Sequence, residues 1–543
     1  MKRFFFIISF LLAALFNAAS AGQSGVCVVS KESGYYSSLA KHVARWLKQE
    51  SVEAKVAVKE PLSKALTNCK VAFLVGYASV GSDDMQAIKA YCSKGGKLVV
   101  FHSSDPALAA FMGVKPVGYA AAAYPGQWSR IDFGSKTPKG CPKAIYQTST
   151  VLQRARAIEG RSRVVATWSD RSGRSSQEPA WLVGSRGYWM THVLLADGDE
   201  TLKAQLVAAI VGSILPQKWD YAQSVKRKAA DAKAVGDFAR KQKKRPGEIH
   251  AVWDHSGCGL YPGNWARTIA VLKASGVTDL FVNVAGAGFA HYKSDVLPRS
   301  KTYEQEGDQL AAVLAAAKGS NIRVHAWVLC FTATRSTPSR LADFAQKGWR
   351  LYTRDNKLSE YLDPSKSAVR SYILSAIDEI QAKYPAVNGI HLDFVRWYEL
   401  SKKPDDAALV ISKFVVSAKR RVVRPRWFTV AVLGKYPACV RSVGQDWVGW
   451  ISSNIVDYAV PMDYTENSLT FESYVKQHAA LKNHASKTIA GIGVTANESR
   501  LSALQVINQI KTARKYNLAG VALFDLDRTL ETQILPYLRL GLW

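Results

Sequence analysis

Beyond residue 247, short apolar runs recur along the chain with room for one helix between each pair. They are Ile249–Trp253, Asp279–Asn283, Arg323–Val328, Asn388–Asp393, Trp427–Leu433, Ile455–Val460, Thr488–Ile492 and Gly520–Phe524. Odd and even positions are alike apolar, the pattern of parallel strands covered on both faces. Eight strand–helix units in one stretch predict a (β/α)8 TIM barrel over residues 248–543. Residues 22–215 also alternate strand and helix. Val26–Val29 reads as a strand, and Leu39, Val43, Trp46 and Leu47 then share one helix face. Val71–Val75 and Lys97–Phe101 are further runs of strand length, and Trp181–Val183 and Tyr188–Leu194 flank Ser185-Arg186-Gly187 as a hairpin. This pattern predicts an open α/β sheet of mostly parallel strands. Residues 216–247 join the two domains. The stretch from Trp219 to Arg245 is rich in Ala and Lys and stops at Pro246-Gly247, as a basic helical linker would.

The first residues change the expected location. Met1-Lys2-Arg3, an apolar run from Phe4 to Phe16 and Ala19-Ser20-Ala21 form the charged, apolar and small-residue regions of a signal peptide over residues 1–21. The apolar run is shorter than the ~20 residues a membrane helix needs, so export without a transmembrane anchor is expected. The seven cysteines include no CxxC and no Cys/His cluster of metal-ligand spacing. They read as buried small apolar residues, with one pair among the first four open to oxidation after export. The net charge of +29 is dispersed, apart from Lys241 to Arg245, and favours acidic partners such as anionic glycans. No helix-turn-helix, zinc-finger or RNP pattern accompanies it, so nucleic acid is not the expected partner.

Barrels of this kind place their chemistry at the C-terminal ends of the strands. The first strand ends in Trp253-Asp254-His255, the second in Asn283, and the third carries His325 and Trp327. The fourth ends in His391-Leu392-Asp393, followed by Arg396 and Trp397. The sixth leads into Asp463-Tyr464-Thr465-Glu466, and the eighth ends in Asp525. Carboxylates for acid–base work beside flat apolar rings for sugars are what glycosidic cleavage requires. Each residue taken singly also fits a structural role: a core tryptophan, a hydrogen-bonded core histidine, or a helix-capping aspartate in the case of Asp525. A metal held by Asp254, His255 and His391 matches no ligand spacing, and neither a metal nor an organic cofactor is expected.

Several ordered motifs between Ile249 and Phe524 make the barrel resemble the family-10-like glycosyl hydrolases (uncharacterised family 187). They are His250-Ala-Val-Trp253, Asn283, His291-Tyr292-Lys-Ser294-Asp-Val-Leu-Pro298, Gly307-Asp308-Gln309 and Val324-His325-Ala-Trp327. Asp363-Pro364, Asn388-Gly-Ile-His391-Leu-Asp393-Phe-Val-Arg396, Gln445-Asp446-Trp447 and Val456-Asp457-Tyr458-Ala-Val-Pro461-Met462-Asp463-Tyr464 complete the set. The resemblance implies hydrolysis of O-glycosidic bonds in a polysaccharide, peptidoglycan glycan strands among the substrates. Many relatives carry Asp where this chain has Asn388, and a second acid where it has Phe394. The expected mechanism uses two carboxylates, Asp393 first, with Asp463 or Glu466 as partner and Asp254 as an outside candidate. Substrate contacts are expected from Trp253, Asp254, His255, Asn283, Tyr292, His325, Trp327, His391, Arg396, Trp397, Tyr464 and Asp525. The rival expectation is a non-catalytic glycan-binding protein on a degenerate barrel, motivated by Phe394. The N-terminal domain loosely resembles the flavodoxin-like, glutamine-amidotransferase-type domains around Gly95-Gly96-Lys97-Leu-Val-Val-Phe-His102. Its turn at His102-Ser103-Ser104-Asp105 has no cysteine and no GxSxG, so Ser103 reads as a helix cap and the domain as non-catalytic.

Overall fold

The computed structural model describes residues 25–124, 126–170, 173–196, 199–481 and 484–543. The expected signal peptide lies outside the described residues. The chain divides into two compact units, one running to Asp231 and one from Ala232 to Trp543. The division falls inside the helix Tyr221–Arg240.

The first unit is built on a nine-stranded open sheet. Its parallel half is Lys55–Val58, Val26–Ser30, Val71–Val75, Lys97–Phe101 and Gly187–Met190, in that spatial order. From Gly187–Met190 outward, through Ser175–Gly184, Ser162–Ser169, Trp128–Phe133 and Ala144–Ser149, every pairing is antiparallel. The sheet is therefore half parallel, where the sequence predicted it mostly so. The reason lies in the connections: a parallel pairing needs a crossover of a dozen or more residues, and only the first half has helices to supply one. The hairpin at Ser185-Arg186-Gly187 forms as the turn residues predict. The helix Pro106–Met112 is capped by Asp105, whose Oδ1 accepts the Leu108 amide at 2.8 Å. Ser103 instead accepts the Asp105 amide at 3.3 Å, so the cap stands two residues beyond the expected one.

The second unit is the closed barrel. Its strands are β1 (Ile249–Asp254), β2 (Asp279–Gly286), β3 (Arg323–Leu329), β4 (Gly389–Asp393), β5 (Trp427–Leu433), β6 (Tyr458–Met462), β7 (Ile489–Gly493) and β8 (Gly520–Phe524). All pair in parallel with their neighbours, and β8 returns to β1. Alternation along each strand separates two cores. Ala251, Trp253, Phe281, Trp327, Ala431, Val460 and Ala522 fill the interior. Val252, Leu280, Val324, Ile390 and Val430 pack outward against the helices.

Side chains fix several strand starts. The Phe428 amide donates to Asp457 Oδ2 at 2.8 Å, a ladder position taken by a side chain, and β6 begins only at Tyr458, three residues later than its apolar run predicts. Asn388 Oδ1 accepts the Val324 amide at 2.8 Å. The Asn388 carbonyl takes the Trp427 amide at 2.9 Å, so one residue ties β3, β4 and β5 at their N-terminal ends. An aspartate offers the same acceptor, which makes the departure at Asn388 structural and remote from the opposite rim. Among the described residues all seven cysteines are free thiols, with Cys27, Cys69, Cys330 and Cys439 buried.

Candidate active site

Asp393 ends β4 on the parity that faces the barrel interior, two residues beyond His391. It is buried, and burial raises its carboxyl above the usual range. The Arg396 guanidinium at 3.9 Å and the Phe394 amide, donating to Oδ1 at 2.5 Å, pull the other way. Phe394 itself holds φ at 48°, a left-handed conformation unfavourable for a bulky residue and typical of functional turns. Its half-buried ring carries the Arg396 guanidinium 4.1 Å above it. Tyr361 lies 6.2 Å away, stacked at 3.9 Å on Tyr398. Where the family resemblance leads one to expect a second acid, this chain builds an aromatic wall.

Asp525 follows β8, across the barrel mouth from β4. Oδ1 accepts the amides of His255 (3.0 Å) and Leu526 (2.7 Å). Burial, and then the neighbouring charge of Asp254, push its carboxyl up to about 7. Between the two strands, Tyr464 stacks on Phe524 at 5.5 Å and meets the Trp253 edge at 6.4 Å. Its phenol is raised by burial and then by the charges of Asp393, Asp525, Glu498 and Asp463. A cavity of about 430 Å³ opens beside it, lined by Arg396, Gly434, Lys435, Met462, Tyr464, Tyr474 and Glu498 among others.

The remaining predicted residues divide between the rim and the scaffold. The His255 ring lies 5.9 Å from Trp327 and 6.0 Å from Phe524, at the mouth. Burial and then Arg335 lower its pKa. Asn283 donates to the His255 carbonyl at 3.3 Å. Asp254 is spent on its own loop: Oδ1 accepts from the Ser256 hydroxyl (2.6 Å) and the Ser256 and Gly257 amides, and Oδ2 from the Gly259 amide (2.9 Å). Asp463 is fully buried, its two oxygens 3.0 and 3.1 Å from His478 Nε2. Burial raises its carboxyl against the pull of His478. On β6 the interior parity belongs to Tyr458 and Val460, so Asp463 turns away from the mouth. Glu466 is exposed and accepts the Arg500 amide at 2.9 Å.

Four predicted contacts sit below or behind the mouth. His391 Nε2 accepts from the Trp253 indole at 2.9 Å, which requires the proton on Nδ1, and that nitrogen lies 2.8 Å from the Thr429 hydroxyl. Burial holds this imidazole well below its usual pKa, neutral and stacked on Phe281 at 4.1 Å. His325 lies deeper, with Nε2 2.8 Å from Asp279 Oδ1. Burial would raise Asp279, but His325 and Arg323 outweigh it and hold it at about 2. Tyr292 and Trp397 belong to the outer core, and the Tyr292 hydroxyl donates to Glu379 at 3.0 Å. The motif residues Asp308 and Asp446 cap helices, and Gln309 accepts from the Trp265 indole at 3.0 Å. Arg335 and Glu498 lie in loops several residues past a strand end and Tyr474 in a helix, while Lys435 follows β5 by two residues; no sequence pattern marks any of them.

Residues 262–414 match the family model described as glycosyl hydrolase-like 10, a segment that contains Asp393. The resemblance to family-10-like hydrolases is borne out there. Among curated proteins none matches the chain. Among solved structures the chain is similar to the PgaB (BpsB) glycoside hydrolase domain from Bordetella bronchiseptica, at 12% identity and TM-score 0.42, covering 55% of this chain and 99% of that one. It is also similar to the catalytic domain of a beta-amylase from Paenibacillus polymyxa (11%, TM-score 0.40, 54% and 96% covered). A third is the spore cortex-lytic enzyme SleL of Bacillus cereus (9%, TM-score 0.36, 55% and 74% covered).

Proposed function

We propose that the barrel is an exported glycosidase acting on a polysaccharide, with Asp393 and Asp525 as its two carboxylates. The observation that carries this reading is that Asp393 ends β4 and Asp525 follows β8, opposite strands of the closed barrel, with Tyr464 stacked on Phe524 at 5.5 Å. Burial raises both carboxyls, and their neighbours then act in opposite directions, which is how paired acids divide the work. Asp393 has a guanidinium beside it that favours the carboxylate. Asp525 has a neighbouring acid that opposes it, and at about 7 it retains its proton into the neutral range. In this reading Asp525 donates that proton to the leaving oxygen, while Asp393 serves as nucleophile or as base toward water. Asp463 and Glu466, the partners expected from sequence, are engaged with His478 and the Arg500 amide and leave the role to Asp525. Phe394 and Tyr464, half-buried at the mouth, supply the apolar surface on which a sugar ring rests, with Trp253 and Trp327 packed in the interior core beneath them.

The test incubates the purified protein and its Asp393→Asn and Asp525→Asn variants with denuded peptidoglycan and a panel of anionic polysaccharides. New reducing ends are read by mass spectrometry. Cleavage by the parent, lowered about 10²–10⁴-fold by either substitution, supports the reading. Tight binding without cleavage by any of the three replaces it with the glycan-binding protein.

A further inference from the structure

The loop after β3 carries a cation that the fold fixes in place without an ion pair among the described residues. The Arg335 guanidinium sits 4.4 Å over the Phe289 ring, Nη2 lies 3.4 Å from His291 Nε2, and Nη1 lies 3.5 Å from the His255 carbonyl. Among the described residues it forms no ion pair; partial desolvation by the surrounding loop lowers its pKa, and the pull of Cys258 and Asp254 offsets only part of that. His291 does not supply one. Burial and then Arg335 hold that imidazole at about 3, with Nδ1 2.6 Å from the Ser300 hydroxyl and Nε2 toward the guanidinium. A guanidinium has five N–H donors, and two long contacts leave most of them unspent. Arg335 remains exposed to solvent. Its anchor, His255, is the residue whose amide holds Asp525, so this cation stands on the same rim as the proposed acid.

Resting on the glycosidase reading above, we propose that Arg335 is the specificity anchor for a carboxylate borne by the substrate glycan. The planar fork matches a carboxylate bidentately, and the Phe289 ring and His291 hold the fork ready. Two kinds of sugar present that group: a uronic acid, on the ring, and a muramic acid, on its lactyl ether. The chain's net charge of +29 draws either polymer toward the site.

The test uses the full chain carrying Asp393→Asn, with and without Arg335→Gln or Arg335→Lys, in titration calorimetry. The probes are oligogalacturonate, muramate-containing denuded glycan strands and neutral chitooligosaccharide. At least one acidic probe is expected to bind tenfold or more tighter than the neutral one. Arg335→Gln should weaken that probe about 10- to 100-fold, with Arg335→Lys recovering only part. The acidic probe that responds identifies the sugar. Equal affinity for acidic and neutral probes, equal losses on both, or no binding of either acidic probe overturns the proposal. Circular dichroism on each variant separates these results from misfolding. Cleavage by the parent without acid selectivity would sink the anchor and keep the hydrolase. Arg335-dependent selectivity without cleavage would do the reverse.

Discussion

Asp525 shows most directly what burial does to one side chain. Its carboxyl in the folded protein stands at about 7, against about 3.9 in an unfolded chain. Between those values the native state binds the extra proton, so stability falls as pH rises from about 4 to 7 and stays low above. Asp525→Asn keeps the Oδ1 acceptor for the His255 and Leu526 amides and removes the charge. The variant should therefore melt higher than the parent at pH 8, the gain vanishing toward pH 4, by scanning calorimetry. The same group should set an alkaline limb near pH 7 in kcat/KM, lost in the variant together with most of the activity. Little of this was legible in the sequence, where Asp525 is one more acid after a strand and reads as a cap. Asp393 was legible because it closes a long apolar strand motif with His391 two residues earlier. His391 illustrates the opposite case: the motif marks it, but its two nitrogens are spent on Trp253 and Thr429. His391→Ala would leave both partners unpaired in the barrel interior. A loss of about 2–4 kcal/mol is expected in urea denaturation.

At the level of strands, the eight apolar runs locate the barrel because buried parallel strands leave no polar face to break the pattern. Their ends are less legible, since Asp457 and Asn388 take ladder positions with side-chain oxygens, and β6 starts three residues and β4 one residue later than the apolar runs. Side-chain parity, which sequence supplies once a strand is placed, accounts for Asp463. Tyr458 and Val460 face inward, so the third odd step after Val460 turns its carboxylate toward His478. Closure of the barrel depends on Gly520, where an added Cβ would lie 2.1 Å from the Ile249 carbonyl oxygen on the neighbouring strand. Backbone cannot yield as a flexible side chain can. Gly520→Ala is expected to cost about 1–3 kcal/mol or more and to lower the melting temperature. Gly236→Ala in the helix Tyr221–Arg240 meets only side-chain ends at 3.6 Å or beyond and serves as the tolerated control.

Across the whole molecule, charge separates two contributions that a single binding constant would merge. The 72 Lys and Arg against 43 Asp and Glu are spread along the chain, and their summed field acts on a polyanion over long range. Such a field is screened over about 10 Å at 0.1 M salt and about 3 Å at 1 M. A guanidinium gripping a carboxylate in contact is screened far less. If the substrate is an acidic glycan, KM for the parent should rise steeply from 0.05 to 0.3 M sodium chloride and then level off, with kcat nearly constant. Arg335→Gln should shift that whole curve to higher KM and preserve its slope, because it removes one contact and 1 of 29 net charges. Substituting the three exposed lysines Lys241, Lys243 and Lys244 should flatten the slope and leave the high-salt plateau where it was. A variant of Arg335 that changed only the low-salt slope would mean that the residue acts as one more member of the general field. Steady-state kinetics across five salt concentrations on the three proteins decide between the two roles.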